Sequence, residues 1–195
     1  MEPALVVAVV ILAVLVLGLV AAVFALARQV GILYERIAPM GALMLDGGPA
    51  VGAPAPTFAL EALDGRRVEI GREGPRSSLL FFLSPTCPVC KKLLPVLKST
   101  AGSEQSWLEI VLASDGARAA QEKFYRQARL EEFPYVLSTE LGLAFKVSRL
   151  PYAVLLDETG RVRAKGLINS REQLESLFTA KDMGVGSVQE YLQST

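Results

Sequence analysis

The stretch Leu79-Leu80-Phe81-Phe82-Leu83-Ser84-Pro85-Thr86-Cys87-Pro88-Val89-Cys90-Lys91-Lys92-Leu93-Leu94-Pro95-Val96-Leu97 decides how this chain is read. Its first five residues are a continuous apolar run, the pattern of a strand buried on both faces, and the run stops at Ser84-Pro85. The segment CPVCKKLLPVLKS then has the apolar spacing of a helix, so Cys87 and Cys90 stand where a buried strand gives way to a helix. There, the unpaired N–H groups and the positive end of the helix dipole favour a thiolate on the first cysteine. Cys90, one turn along, can close a disulfide with it. Pro88 and Val89 occupy the loop between the sulfurs; Pro88 has no N–H to lose in the first turn and stiffens the loop. Lys91 and Lys92 add positive charge on the solvent side. Two inert buried thiols, or half of an intermolecular zinc site, are the alternatives, and both leave unexplained why the pair caps a helix after a strand. Covalent haem attachment is excluded, because Lys91 stands where a histidine would be needed.

Composition narrows the chemistry further. The 195 residues suffice for one ordinary domain plus an accessory segment. A hydrophobic share of 51% excludes a disordered chain, and a mean hydropathy of +0.37 is high for a freely soluble one. Twenty basic residues balance twenty acidic ones, which leaves no electrostatic case for nucleic acid. The chain has no histidine, which removes the commonest general base, the usual Ser-His-Asp mechanism and most zinc and copper ligand sets. With only two cysteines, one chain cannot supply a four-thiolate metal site. No metal or cofactor is expected beyond the cysteine pair itself.

The N-terminal segment reads differently from the rest. Residues 4–27, ALVVAVVILAVLVLGLVAAVFALA, contain no charged or polar side chain. As a helix rising about 1.5 Å per residue they span roughly 36 Å, enough for a hydrocarbon core of about 30 Å with some tilt. A buried core helix of this length without a polar residue is disfavoured. A cleaved signal peptide fits poorly because no Lys or Arg precedes the run, although Ala25-Leu26-Ala27 resembles a cleavage site. The expectation is a transmembrane anchor at residues 4–27 in the lipid bilayer, after a short tail at residues 1–3. Residues 28–50 form a juxtamembrane segment and linker, in which Val30, Leu33 and Ile37 have helical spacing before Pro39 and Gly41 interrupt it. Glycine and proline concentrate from Asp46 to Pro56.

Downstream of the cysteines, strand and helix patterns alternate. Leu108–Ala113 reads as a strand, Arg118–Arg129 as a helix, Tyr135–Leu137 as a short strand and Glu140–Lys146 as a helix. Pro151–Asp157 and Val162–Lys165 read as a hairpin around Glu158-Thr159-Gly160, with a helix from about Arg171 to Phe178. The fold class is α/β, a mixed sheet flanked by helices. Residues 180–195 have no assignment.

CPVCKKLLPVL resembles the active-site helix of thioredoxin-like proteins, including Pro95 where that fold has its helix-kinking proline. Leu150-Pro151-Tyr152-Ala153-Val154-Leu155-Leu156-Asp157, followed by Gly160-Arg161-Val162, resembles the family's cis-proline loop, strand and hairpin. Val51-Gly52-Ala53-Pro54-Ala55-Pro56-Thr57-Phe58 resembles the opening of the redoxin branch, which contains membrane-tethered thiol-disulfide proteins. The resemblance covers roughly residues 51–180, leaving residues 181–195 as a C-terminal extension. The whole layout is most similar to the MauD family of methylamine utilisation proteins. That resemblance implies a periplasm-facing thiol-disulfide protein of the inner membrane. Its client would be the small subunit of methylamine dehydrogenase, which carries many disulfides and a tryptophan-derived quinone, and a membrane redox partner would reset the pair.

Carried onto this sequence, the resemblance makes Cys87 the nucleophile and Cys90 the resolving sulfur. It makes Pro151 cis, with Leu150 presenting its backbone to an extended substrate segment and Thr86 beside the sulfurs. Two positions depart from thioredoxin-like reductases: Thr86 replaces the usual tryptophan before the first cysteine, and Phe81 replaces a buried aspartate. Phe81 leaves no proton acceptor for Cys90, which argues against fast disulfide reduction. Trp107 is expected in the core. Peroxidase chemistry lacks its motif, because Thr86 adjoins Cys87 directly. Three readings stand: a thiol-disulfide oxidoreductase forming or isomerising disulfides in an exported quinoprotein, a reductant for apocytochrome c or another exported client, and a non-catalytic tethered scaffold with a structural disulfide. Arg28 and Arg36 after the apolar run favour a cytoplasmic domain by charge bias, whereas disulfide chemistry favours a periplasmic one; the expectation is periplasmic.

Overall fold

The computed structural model describes residues 2–36 and 47–183. The chain divides into two units, Met1–Leu45 and Asp46–Thr195. In the first, helix α1 runs from Glu2 to Arg36, well past the end of the apolar run. Its segment Leu5–Phe24, with a mean hydropathy of 3.3, is a candidate transmembrane span of 20 residues, about 30 Å as a helix. The side chains from Leu5 to Phe24 are exposed, with no polar face among them. Residues 37–46, where Pro39 and Gly41 were expected to interrupt the helix, and residues 184–195 of the C-terminal extension lie outside the described residues.

The second unit is a thioredoxin-like fold. Its strands and helices run β1 (Phe58–Glu61), β2 (Arg67–Ile70), β3 (Ser77–Phe82), α2 (Pro88–Ser103), β4 (Leu108–Ser114), α3 (Arg118–Gln127), β5 (Tyr135–Leu137), α4 (Thr139–Ala144), β6 (Tyr152–Leu156), β7 (Val162–Leu167) and α5 (Arg171–Met183). The main sheet has the order β5-β4-β3-β6-β7, with β3, β4 and β5 parallel and β6 and β7 antiparallel to their neighbours. Strand β3 is therefore central, which is why LLFFL has no polar face. Leu79, Phe81 and Leu83 pack into one apolar cluster with Leu93, Leu94 and Leu97 of α2, Phe124 of α3 and Leu174 of α5. Leu80 and Phe82 face the opposite cluster, with Val68 and Ile70 of β2 and Leu141 of α4. The period of two along a strand sends alternate residues to the two layers.

The hairpin β1–β2 is an element the sequence reading did not identify. Its strands alternate in burial, and Asp64-Gly65, with Gly65 at φ +84°, makes the turn between them. The other boundaries differ from the periodicity by a few residues, as hydrogen bonds close or fray element ends. The largest difference is α5, which continues to Met183. Lys181 anchors that last turn: its Nζ donates to Ser77 Oγ (2.6 Å) and Glu158 Oε1 (3.0 Å) and lies 4.6 Å from the centroid of the Trp107 ring. Phe178 meets the same ring edge-on at 5.4 Å. Trp107 thus packs against the core, at the end of the sheet opposite the cysteines, as the sequence reading expected.

Candidate active site

Strand β3 ends at Phe82, and five residues carry the chain to α2. Ser84 organises that passage. Its Oγ lies 2.9 Å from Thr86 Oγ1 and accepts from Thr86 N–H (3.3 Å), while its carbonyl accepts from Cys87 N–H (3.1 Å). Ser84 was missed as a supporting residue; its only signal in the sequence is a hydroxyl just before a proline. Cys87 has the extended backbone of an N-cap (φ −82°, ψ 111°), and its Sγ accepts from Cys90 N–H at 3.1 Å. Pro88 occupies the first helical position, where no N–H is needed.

Cys87 and Cys90 are joined in a disulfide, with Cα atoms 5.3 Å apart. The two sulfurs differ in environment. Cys90 is fully buried within the apolar cluster that contains Phe81, Leu93, Leu94 and Ala153, whereas Cys87 is half-buried at its edge. Thr86 and Pro88 are exposed, and so are Lys91 and Lys92; Val89 is half-buried. No acidic residue lies in the first turn of α2 to oppose a charge on Cys87. Pro95 lies inside α2 on its exposed side, where it withholds the N–H that would bond the Lys91 carbonyl. Phe81 is fully buried, so the place a carboxyl would take is filled by a ring.

The loop before β6 comes from a different part of the chain. Helix α4 starts on Ser138, whose Oγ accepts from Leu141 N–H (3.1 Å). It ends with Lys146 N–H donating to the Leu143 carbonyl (3.0 Å) and Val147 N–H to the Gly142 carbonyl (2.9 Å), Lys146 being left-handed at φ +49°. This paired closure of a helix end fixes the direction in which residues 147–150 leave. The Leu150–Pro151 bond is cis; Pro151 is buried and Leu150 exposed. Beside this loop, at the carboxyl ends of β3 and β4, lies a groove of about 180 Å³. Leu83 and Leu150 both line it, so it borders the chain leading into Cys87 and the chain leading into Pro151.

The floor of the groove is held by a buried polar chain. Tyr135 OH donates to Gln121 Oε1 (2.5 Å), Gln121 Nε2 donates to Ser114 Oγ (3.0 Å), and Ser114 Oγ donates to the Leu83 carbonyl (2.9 Å). Burial pushes the Tyr135 phenol up to about 12, so it remains a donor. These residues are scattered from 83 to 135, and no local pattern marks them. Among the described residues, no group of three or more His, Cys, Asp or Glu side chains could hold a metal ion.

The family model for thioredoxin-like proteins matches residues 74–162. The methylamine utilization protein MauD of Methylorubrum extorquens is 47% identical over 186 residues, covering 93% of this chain and 85% of that one. The thiol-disulfide oxidoreductase ResA of Bacillus subtilis is 30% identical over 114 residues, covering 57% of this chain and 64% of that one. Among solved structures, the thioredoxin domain of a thiol-disulfide oxidoreductase of Bacteroides vulgatus superposes with a TM-score of 0.57 at 20% identity, covering 70% of this chain and 99% of that domain. The strand-to-helix placement of the cysteine pair, the mixed sheet and the likeness along nine-tenths of the sequence agree: this chain belongs to the MauD family of thioredoxin-like proteins.

Proposed function

We propose that this protein is a membrane-anchored thiol-disulfide oxidoreductase that forms or rearranges disulfides in the small subunit of methylamine dehydrogenase, with its thioredoxin-like domain in the periplasm. The observation that carries the chemistry is the unequal exposure of the two linked sulfurs, with Cys87 half-buried at the start of α2 and Cys90 fully buried. Membership of the MauD family supports the client, and the candidate span Leu5–Phe24 supports the tether.

In this reading a client thiolate attacks Cys87 Sγ and the Cys87–Cys90 bond breaks. A mixed disulfide forms, and the electron pair leaves on Cys90, which takes a proton. A second client thiolate then attacks the client sulfur of the mixed disulfide. The client disulfide closes and Cys87 leaves as a thiolate, which the Cys90 N–H and the α2 dipole stabilise. The protein ends as a dithiol and the client has lost two electrons. In rearrangement, Cys87 thiolate attacks a client disulfide and is later displaced by another client thiol, with no net redox change. Thr86 and the Leu150–Pro151 backbone border the reacting sulfur in this reading, and a membrane redox partner reoxidises the dithiol.

The test is a Cys90→Ala variant expressed in cells that make methylamine dehydrogenase. Its Cys87 retains mixed disulfides that can be isolated and identified by mass spectrometry. Capture of the dehydrogenase small subunit is the expected result. Capture of apocytochrome c would replace it with the reductant reading, and no adduct at all would leave a structural disulfide.

A further inference from the structure

We propose that the groove at the carboxyl ends of β3 and β4 is a specificity subsite that receives an aromatic side chain of the client polypeptide, from a position near the client's reacting cysteine. The inference rests on the thiol-disulfide reading above and adds to it what the protein selects.

Four observations carry it. The groove, about 180 Å³, exceeds the roughly 150 Å³ of an apolar cavity that takes up benzene, so a ring fits. Phe82, Leu83, Ala113, Val147 and Leu150 give it apolar walls. Asp115 and Ser148 also line it but are exposed to water, and the Ser114 and Ser138 hydroxyls that line it are already engaged, with the Leu83 carbonyl and Gln121 in one case and the Leu141 N–H in the other. An apolar occupant therefore strands neither hydroxyl.

Gly142 is the third observation. Glycine is a poor helix former, second only to proline, yet Gly142 sits within the six-residue α4. Its φ is not in the left-handed region, and a Cβ placed on it would meet no atom within 4 Å. Neither backbone conformation nor a close neighbour calls for glycine there. What the missing side chain leaves is room in the groove, which Gly142 lines.

Arg149 is the fourth. It lines the groove, is exposed, and has no ion-pair partner among the described residues. A guanidinium at the rim favours an aromatic occupant over an aliphatic one, because it can lie against the face of a ring. Continuity with the redox loop follows from Leu83, four residues before Cys87, and from Leu150, next to Pro151.

The experiment uses the full chain in detergent as the Cys90→Ala variant. The probes are synthetic hexapeptides with one cysteine carried as its mixed disulfide with thionitrobenzoate. Cys87 thiolate attacks the peptide sulfur, the peptide–thionitrobenzoate bond breaks, and the coloured thionitrobenzoate anion leaves. A single Phe is moved through the positions flanking the cysteine, with Ala as reference. Phe at one flanking position is expected to raise the second-order rate about tenfold over Ala, which corresponds to about 1.4 kcal/mol. Gly142→Leu should abolish that preference, so that the Phe and Ala peptides react at equal rates. Gly142→Ala should diminish it while raising resistance to urea, which keeps the test decisive if the leucine variant does not fold. No position at which Phe exceeds Ala, or a preference that survives both substitutions, overturns the subsite. Failure of Cys87 to react with any peptide overturns the redox reading instead.

Discussion

Reducing the Cys87–Cys90 disulfide should destabilise the domain only modestly. The ring closed by the bond holds four residues, and the chain-entropy relation assigns such a loop about 1.9 kcal/mol at 25 °C. The reduced form recovers part of this, because a Cys87 thiolate would cap α2, with the Cys90 N–H directed at its sulfur and no acidic residue in the first turn. A charge so placed is worth about 0.3–1 kcal/mol. The oxidised form should therefore be the more stable by about 1–1.5 kcal/mol. By the same cycle its reduction potential lies about 20–35 mV below that of the same pair in an unfolded chain. Urea unfolding of the detergent-solubilised chain, oxidised and dithiothreitol-treated, reads this directly, since α1 contributes equally to both states. With a slope of about 2 kcal/mol/M the oxidised midpoint should lie roughly 0.6 M higher. A reduced form more stable than the oxidised one by over about 1 kcal/mol would refute the reasoning. The thiolate would then be held by more than the helix end, as in a strongly oxidising pair.

Other outcomes follow from the surrounding structure. Tyr135→Phe removes the donor to the buried Gln121 Oε1 and should destabilise the fold by about 1–3 kcal/mol in the same urea assay. Gly160→Ala should cost at least about 2 kcal/mol, since at φ +75° its Cβ would come 2.6 Å from the Gly71 carbonyl oxygen. Among the carboxyls below their ordinary values are Asp64 beside Arg66, Glu158 beside the Ser77 hydroxyl and Lys181, and Asp157, whose burial acts upward but is outweighed by bonds from Thr159, Arg161 and Arg163. Depressed carboxyls contribute fully above their unfolded values of about 4 and lose that contribution as pH falls through the folded ones. The urea midpoint should thus decline below about pH 4, and Asp157→Asn should make that decline shallower. Trp107 emission should not change on reduction of the disulfide, because Trp107 adjoins the start of β3 and β4 while Cys87 lies beyond the far end of β3.

The parts of the fold legible in the sequence are those where one short segment carries its own signal. LLFFL marks a central strand because both of its faces are covered, and CPVC marks the start of its helix because a proline in the first turn has no intrahelical N–H bond to lose. The hairpin β1–β2 was not identified, although Asp64-Gly65 between alternating strands is a turn signal. The sequence reading assigns no element between Phe58, the end of the stretch that resembles the redoxin opening, and Leu79. The groove could not be read at all. Leu83, Ser114, Ser138, Gly142 and Arg149 come from separate stretches of strand, helix and loop that meet only when the parallel strands place their carboxyl ends side by side. Likewise Lys181, in a stretch without an assignment, acquires its role from Ser77, Glu158 and Trp107, which only the folded sheet brings within reach.

The burial of Cys90 bears on which reaction the pair favours. Oxidising a client expels Cys90 as a thiolate, and reducing one requires Cys90 to attack as a thiolate, so the two directions share one state by microscopic reversibility. Cys90 is fully enclosed by the apolar cluster, and Phe81, fully buried in the same cluster, supplies no acid to it. An apolar enclosure disfavours charge on that sulfur and slows both directions alike. Rearrangement does not pass through this state, because it uses Cys87 alone. Within the proposed function, the balance therefore tips toward isomerisation. Mixed disulfides between Cys87 and a multiply disulfide-bonded client would persist long enough for another client thiol to displace them. Phe81→Ala tests this by opening the enclosure to water. It should hasten resolution by Cys90, measured as the rate at which wild-type Cys90 releases a peptide from Cys87, and leave the initial attack by Cys87 unchanged. An unchanged release rate in a folded variant would show that the enclosure does not govern the step.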